Sequence, residues 1–147
     1  MSWLPKNKVL VPVDLSERSF HAITPALSMV KEISGLHVLS IIRPFDINVP
    51  KAFADSKANE KRFTLARKDL LSKMEEYDLK EAVTVIREAK PISMGIINYA
   101  KEIEAELIVM TSLGHTGLKR IMIGSVAERV ARYAHCPVLI LRSVKQK

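Results

Sequence analysis

The sequence predicts a doubly wound α/β fold, a five-stranded parallel sheet with helices packed on both faces. Three short runs are apolar at nearly every position: Val9–Val13, 107–110 and Val138–Leu141. Strands buried on both faces of a parallel sheet read this way. Between the strand candidates lie stripes of apolar residues on a 3.6-residue period, the mark of helices with one buried face. The two kinds of segment alternate as β-α-β-α-β-α-β-α-β, and right-handed crossovers turn that order into a parallel sheet.

The first strand runs through Pro12 and is followed by Phe20, Ile23, Leu27 and Val30 at helical spacing. Pro25 interrupts that stripe and lacks the N–H a helix interior needs, so a bend or a late helix start is expected. The second strand is Leu36–Ile42, LHVLSII. Residues 44–55, PFDINVPKAFAD, carry two prolines and no period, and are expected to loop over one end of the sheet. Phe63, Ala66, Leu70, Met74 and Tyr77 mark the next helix. Residues 82–86 alternate apolar and polar, which suits an edge or half-exposed strand. Ile92, Ile96, Tyr99 and Ile103 mark a helix for which Pro91 serves as a first-turn residue. The fourth strand, 107–110, is followed by Val126, Val130 and Ala134 on a helix, and the last strand is Val138–Leu141.

A chain of 147 residues is expected to form one domain, residues 1–147. It is 48% hydrophobic and 27% charged, a globular balance. No apolar run approaches the roughly 18 residues that span a bilayer, and the start MSWLPKNKVLVPVD reads as a strand rather than a leader. A single cysteine allows no internal disulfide and suits a reducing, cytoplasmic setting. Cys136 precedes a strand, where a buried small hydrophobe is a better reading than a reactive thiol. The net charge of +7 favours anions, but the cations are scattered and aromatics are only 5%, which argues against nucleic acid.

In an open α/β sheet, ligands bind beyond the carboxyl ends of the strands where strand order reverses. Asp14 sits directly after the first strand. Asp14 or Ser16 can cap the next helix, Asp14-x-x-Glu17 fitting a loose capping box, or Asp14 can accept hydrogen bonds from a ribose hydroxyl or an adenine amine. Ser125-x-x-Glu128 reads as a capping box too, yet the same helix start is a seat for anions. Gly114, Gly117 and Gly124 allow close backbone approach or a positive φ. Lys119, Arg120 and His115 read first as solvated residues, with phosphate contact as the sharper alternative for His115. Neither common nucleotide-loop fingerprint is present, nor a nucleophile elbow around Ser125. The four histidines have no metal-ligand spacing. No catalytic residue and no protein metal ligand is nominated.

Taken together, these residues resemble the universal stress protein family, from Lys8 to Arg142. The opening strand VLVPVDLSERS, the second strand LHVLSII and the Arg87-Glu88-Ala89-Lys90-Pro91 element, with Ala89 where the family has glycine, all match its pattern. So does LIVMTSLGHTGLKRIMIGSVAERVARYAHCPVLILR, almost residue by residue. The nucleotide-binding branch carries Gly, two residues, Gly, nine residues, then Gly-Ser or Gly-Thr. Here Gly114 and Gly124-Ser125 keep the second half, and Thr111 replaces the first glycine.

The resemblance implies strand order 3-2-1-4-5 in a Rossmann-like, adenine nucleotide alpha hydrolase-like sheet. It implies an ATP site, with magnesium or manganese, that includes Pro12 and Val13 and in which Asp14 and Ile41 hold adenosine. Met110, Thr111, Gly114, His115, Gly117, Gly124, Ser125 and Val126 would hold ribose and phosphates. It further implies a homodimer through Val138–Leu141, and ATP as a regulatory or sensing ligand with at most slow hydrolysis. The alternative is a nucleotide-free dimeric interaction module. Thr111 decides between them: at a position needing φ > 0 a β-branched residue is costly, whereas on an ordinary strand end its hydroxyl can reach a phosphate.

Overall fold

The computed structural model describes residues 2–44, 56–112 and 123–142. Five parallel strands form one sheet: β1 (Val9–Val13), β2 (Leu36–Ile42), β3 (Val83–Glu88), β4 (Leu107–Thr111) and β5 (Val138–Leu141), in the order β3-β2-β1-β4-β5. The helices are α1 (Glu17–Phe20), α2 (Ile23–Leu27), α3 (Ser56–Glu76), α4 (Ile92–Glu102) and α5 (Ser125–Tyr133), with a 3-10 turn at Ile33–Gly35.

Alternation along the two central strands builds the two layers. Val9, Val11, Val13, Leu107 and Val109 point to the face covered by α1, α2 and α3, where Phe20, Ile23, Leu70 and Met74 are buried. Leu10, Ile108 and Met110 point to the other face, against Ile96, Ile97, Ala127 and Val130 of α4 and α5. Every residue of β1 is buried, as both-face coverage requires. β3 is an edge strand, and its exposed Arg87 and Glu88 pair with Ile41 and Ile42.

Three expected boundaries shift. The first helix is two helices, and α2 begins only at Ile23. That puts Pro25 in the first turn, where a backbone N–H has no intrahelical partner to lose. The third strand starts at Val83, because the Ala82 N–H closes a turn onto the Leu79 carbonyl at 3.1 Å. Pro91 is the N-cap of α4, one residue before the first turn. The expected loop over 44–55 lies, beyond Pro44, outside the described residues.

Two helices end on left-handed residues that are not glycine. After α3, Asp78 has φ 56° and Leu79 N–H donates to the Met74 carbonyl at 2.9 Å. After α4, Glu104 has φ 55° and Ala105 N–H donates to the Ala100 carbonyl at 2.9 Å. Both are Schellman ends, which favour glycine. Glu104→Gly is therefore expected to raise stability by about 0.5–1 kcal/mol, seen as a higher urea midpoint with an unchanged slope.

At the amino ends of the strands, the half-buried His37 ring bonds the Tyr99 hydroxyl through Nδ1 at 2.8 Å. Burial first, then the charge of Lys8, holds the imidazole below its usual value. The folded state thus binds fewer protons than the unfolded chain as pH falls through the ordinary histidine range. The contribution of His37 is fully present above that range and is lost as pH drops towards the lowered folded value. Urea titrations at pH 7.5 and 5.5 should show a smaller loss of stability in His37→Gln than in the parent.

Candidate functional site

The β1–β4 ladder holds only Val9 to Leu107 and Leu10 to Ile108 in register. It ends short of Pro12, which has no N–H to extend it. The strands part there, at the point where strand order reverses, and a cavity of ≈ 390 Å³ opens between their carboxyl ends. That volume lies within the ordinary range for small-ligand pockets.

Nine of the twelve residues picked from the sequence line this one cavity. Pro12 and Val13 come from β1, Asp14 from the turn after it, Ile41 from β2, Met110 and Thr111 from β4, and Gly124, Ser125 and Val126 from the start of α5. Gly114, His115 and Gly117 lie outside the described residues, as do Lys119 and Arg120. Beyond the residues nominated singly, Ser19, Leu39, Arg43, Ile92, Ile96, Ser112 and Ala127 complete the wall. Leu39 was within reach, being two residues from Ile41 on the same strand face. Ile92 and Ile96 read as core stripe, and nothing in their spacing separates a pocket wall from a core.

The β1–α1 turn fixes Asp14. Leu15 takes φ 67°, and the Ser16 N–H donates to Asp14 Oδ1 at 2.9 Å, joined by the Ser16 hydroxyl. The Asp14 N–H donates to Ser19 Oγ at 3.2 Å, and Ser19 Oγ donates to the Ser16 carbonyl at 2.8 Å. Ser16 is the cap of α1, accepting from the Ser19 N–H. Asp14 therefore does not open a capping box; it is half-buried at the cavity wall, held by a side-chain turn.

The α5 end also differs from the capping-box expectation. Gly124 is the N-cap, at φ −61° and ψ 155°, no side chain caps the helix, and Ser125 is its first residue. A tertiary bond decides this: the Gly124 N–H donates to the Ser112 carbonyl at 2.7 Å, while the Ser112 N–H donates to the Leu141 carbonyl at 2.9 Å. Gly124 uses no left-handed backbone, and the Ser125 hydroxyl is not engaged as a cap. The nine-residue helix begins on the cavity wall, and its first amides and positive dipole end favour an anion there.

Thr111 is the last residue of β4, in register with Leu141, and is not among the described residues with positive φ. Its position has ordinary strand geometry, which a β-branched side chain suits. The helix wall comes close for a different reason. A Cβ on Gly95 would lie 2.6 Å from the Ala89 Cβ and 2.9 Å from Ile41 Cδ1. Glycine in α4 thus accommodates both Ala89 and the Ile41 side chain that forms the wall.

The cavity is apolar at Leu39, Ile41, Ile92, Ile96 and Met110, and polar at Asp14, Thr111, Ser112 and Ser125. Such a division accepts a flat apolar ring with a polar, anionic end. Among the described residues no group of three or more His, Cys, Asp or Glu side chains could hold a metal ion. Asp14 is the one carboxylate among the described residues lining the cavity, so there a divalent ion would depend on oxygens of the ligand itself. Cys136 stands apart from the cavity, half-buried against the α4–α5 core, and burial pushes its thiol up, away from reactivity. No helix among the described residues is long and apolar enough to cross a membrane.

Residues 6–142 match the model of the universal stress protein family. The chain is 33% identical to a universal stress protein of Methanocaldococcus jannaschii, over 96% of this chain and 85% of that one. It is 34% identical to the universal stress protein YxiE of Bacillus subtilis, over 92% and 99% respectively. Among solved structures, hypothetical protein MJ0577 superposes with a TM-score of 0.76 at 27% identity, over 95% of this chain and 98% of that one.

Proposed function

The chain belongs to the universal stress protein family, and from that premise we propose that it binds an adenine nucleotide, ATP, as a regulatory or sensing ligand. One observation carries the reading: Asp14, Thr111 and Gly124-Ser125-Val126 line a single cavity at the reversal of strand order. Asp14 and the Ile41 wall suit the nucleoside, and the start of α5 suits the phosphates. Magnesium or manganese would enter with the phosphate oxygens, since the wall offers one carboxylate. The role is binding, with at most slow hydrolysis, in the cytoplasm.

The functional unit is a homodimer through β5. That strand is a sheet edge on the side away from β4, and all four of its apolar residues are only half-buried. An edge of this kind invites a covering strand.

A nucleotide-free dimeric module is the second reading, and Thr111 in place of the motif glycine is what favours it. A thermal-shift titration with ATP and magnesium separates the two. Saturation at about 100 times Kd should stabilise the parent by roughly 2.7 kcal/mol. Thr111→Gly should leave that shift within about threefold in ATP concentration, since strand geometry does not require glycine there. A shift seen in Thr111→Gly and absent from the parent would establish the module reading instead.

A further inference from the structure

Ser16 is not among the described residues that line the cavity, yet its side chain is bonded to one that is. Its hydroxyl donates to Asp14 Oδ1 and accepts from the Ser19 N–H at 3.2 Å. Chemistry fixes both directions. An ionised carboxylate only accepts and an amide N–H only donates, so the single hydroxyl proton goes to Asp14 and a lone pair to the helix.

Capping α1 uses the lone pair alone. The bond to Asp14 is a second use of the same hydroxyl, and with the Ser16 N–H at 2.9 Å it gives Oδ1 two donors. Ser19, only 4% exposed, holds the main chain of the same turn. Its Oγ accepts from the Asp14 N–H at 3.2 Å and donates to the Ser16 carbonyl at 2.8 Å. Leu15, between the bonded residues, is left-handed at φ 67°. A leucine is costly in that conformation, which persists where surrounding bonds over-determine the turn. Amide and carboxylate of Asp14 are thus both held before any ligand arrives.

We propose that Ser16 is a positioning residue for the ligand. Its hydroxyl fixes the Asp14 carboxylate in the orientation that receives the nucleoside, and so sets affinity through Asp14 without a contact of its own. A carboxylate already held loses less freedom on binding than one that must be immobilised by the ligand. The role rests on the nucleotide reading of the cavity.

The test is isothermal titration of ATP with magnesium into the full chain and into Ser16→Gly, Ser16→Thr, Asp14→Ala and the Ser16→Gly/Asp14→Ala pair. Glycine is nearly as good an N-cap as serine but carries no hydroxyl. Ser16→Gly should therefore keep a urea midpoint near the parent's and bind ATP about tenfold more weakly. Ser16→Thr keeps the hydroxyl and should bind within about twofold of the parent. In the Asp14→Ala background, Ser16→Gly should cost no further affinity, because its effect passes through the carboxylate. A loss that persists in that background, or that Ser16→Thr shares, overturns the role. A parent that binds ATP no better than Ser16→Gly overturns the role of Ser16 alone. A parent that binds no ATP overturns the nucleotide reading, and this role with it.

Discussion

Ser125→Glu is expected to weaken ATP binding by at least about 100-fold while leaving the unliganded protein as stable as before, or slightly more so. A carboxylate at the first position of α5 meets the phosphates head-on, and like charges forced together cost several kcal/mol. The same carboxylate complements the helix dipole, worth about 0.3–1 kcal/mol, and stands four residues before Arg129 on the exposed face. Few substitutions separate binding from folding so cleanly, because most that harm a site also harm the fold. Isothermal titration of ATP and a thermal melt of the unliganded protein read the two effects independently. Unweakened ATP binding would remove α5 as the phosphate seat.

Phe20→Ala is expected to cost about 3–5 kcal/mol, a large share of a small domain's stability. Phe20 is fully buried between β1 and the α1–α2–α3 layer, and Lys73 of α3 lies over its ring at 5.8 Å. Its helix, α1, has four residues and no stability of its own. The buried ring therefore anchors the turn that holds Asp14. Urea unfolding should show the loss, and faster hydrogen exchange at Ser16 and Ser19 should accompany it. A loss below about 1 kcal/mol would mean that the α1–α2 layer does not depend on this ring.

How much of this was legible in the sequence depends on whether the cause was local. β1, β2 and β5 have the expected bounds, because burial on both faces leaves unbroken apolar runs. β4 gains only Thr111. β3 was misplaced because Arg87 and Glu88, polar and exposed, still pair with β2 at the sheet edge. Pro25 announced the break between α1 and α2, although not on which side of it the helix would restart. Ser125 and Gly124 could not be ordered, since a bond from Gly124 to Ser112 across the structure sets the cap. The polar wall of the cavity was readable from strand ends and helix starts. Of its apolar wall, Ile92 and Ile96 became visible only once the helices were packed. Family resemblance supplied the strand order that local patterning could not, and the sheet has that order.

The central functional claim is occupancy of the cavity by an adenine nucleotide. Denaturing freshly purified protein and separating the released small molecules tests it most directly. Adenine nucleotide in near-stoichiometric amount, and much less from Ser125→Glu prepared alongside, is the expected result. A protein that releases none, and whose melting temperature does not move in millimolar ATP with magnesium, would contradict it.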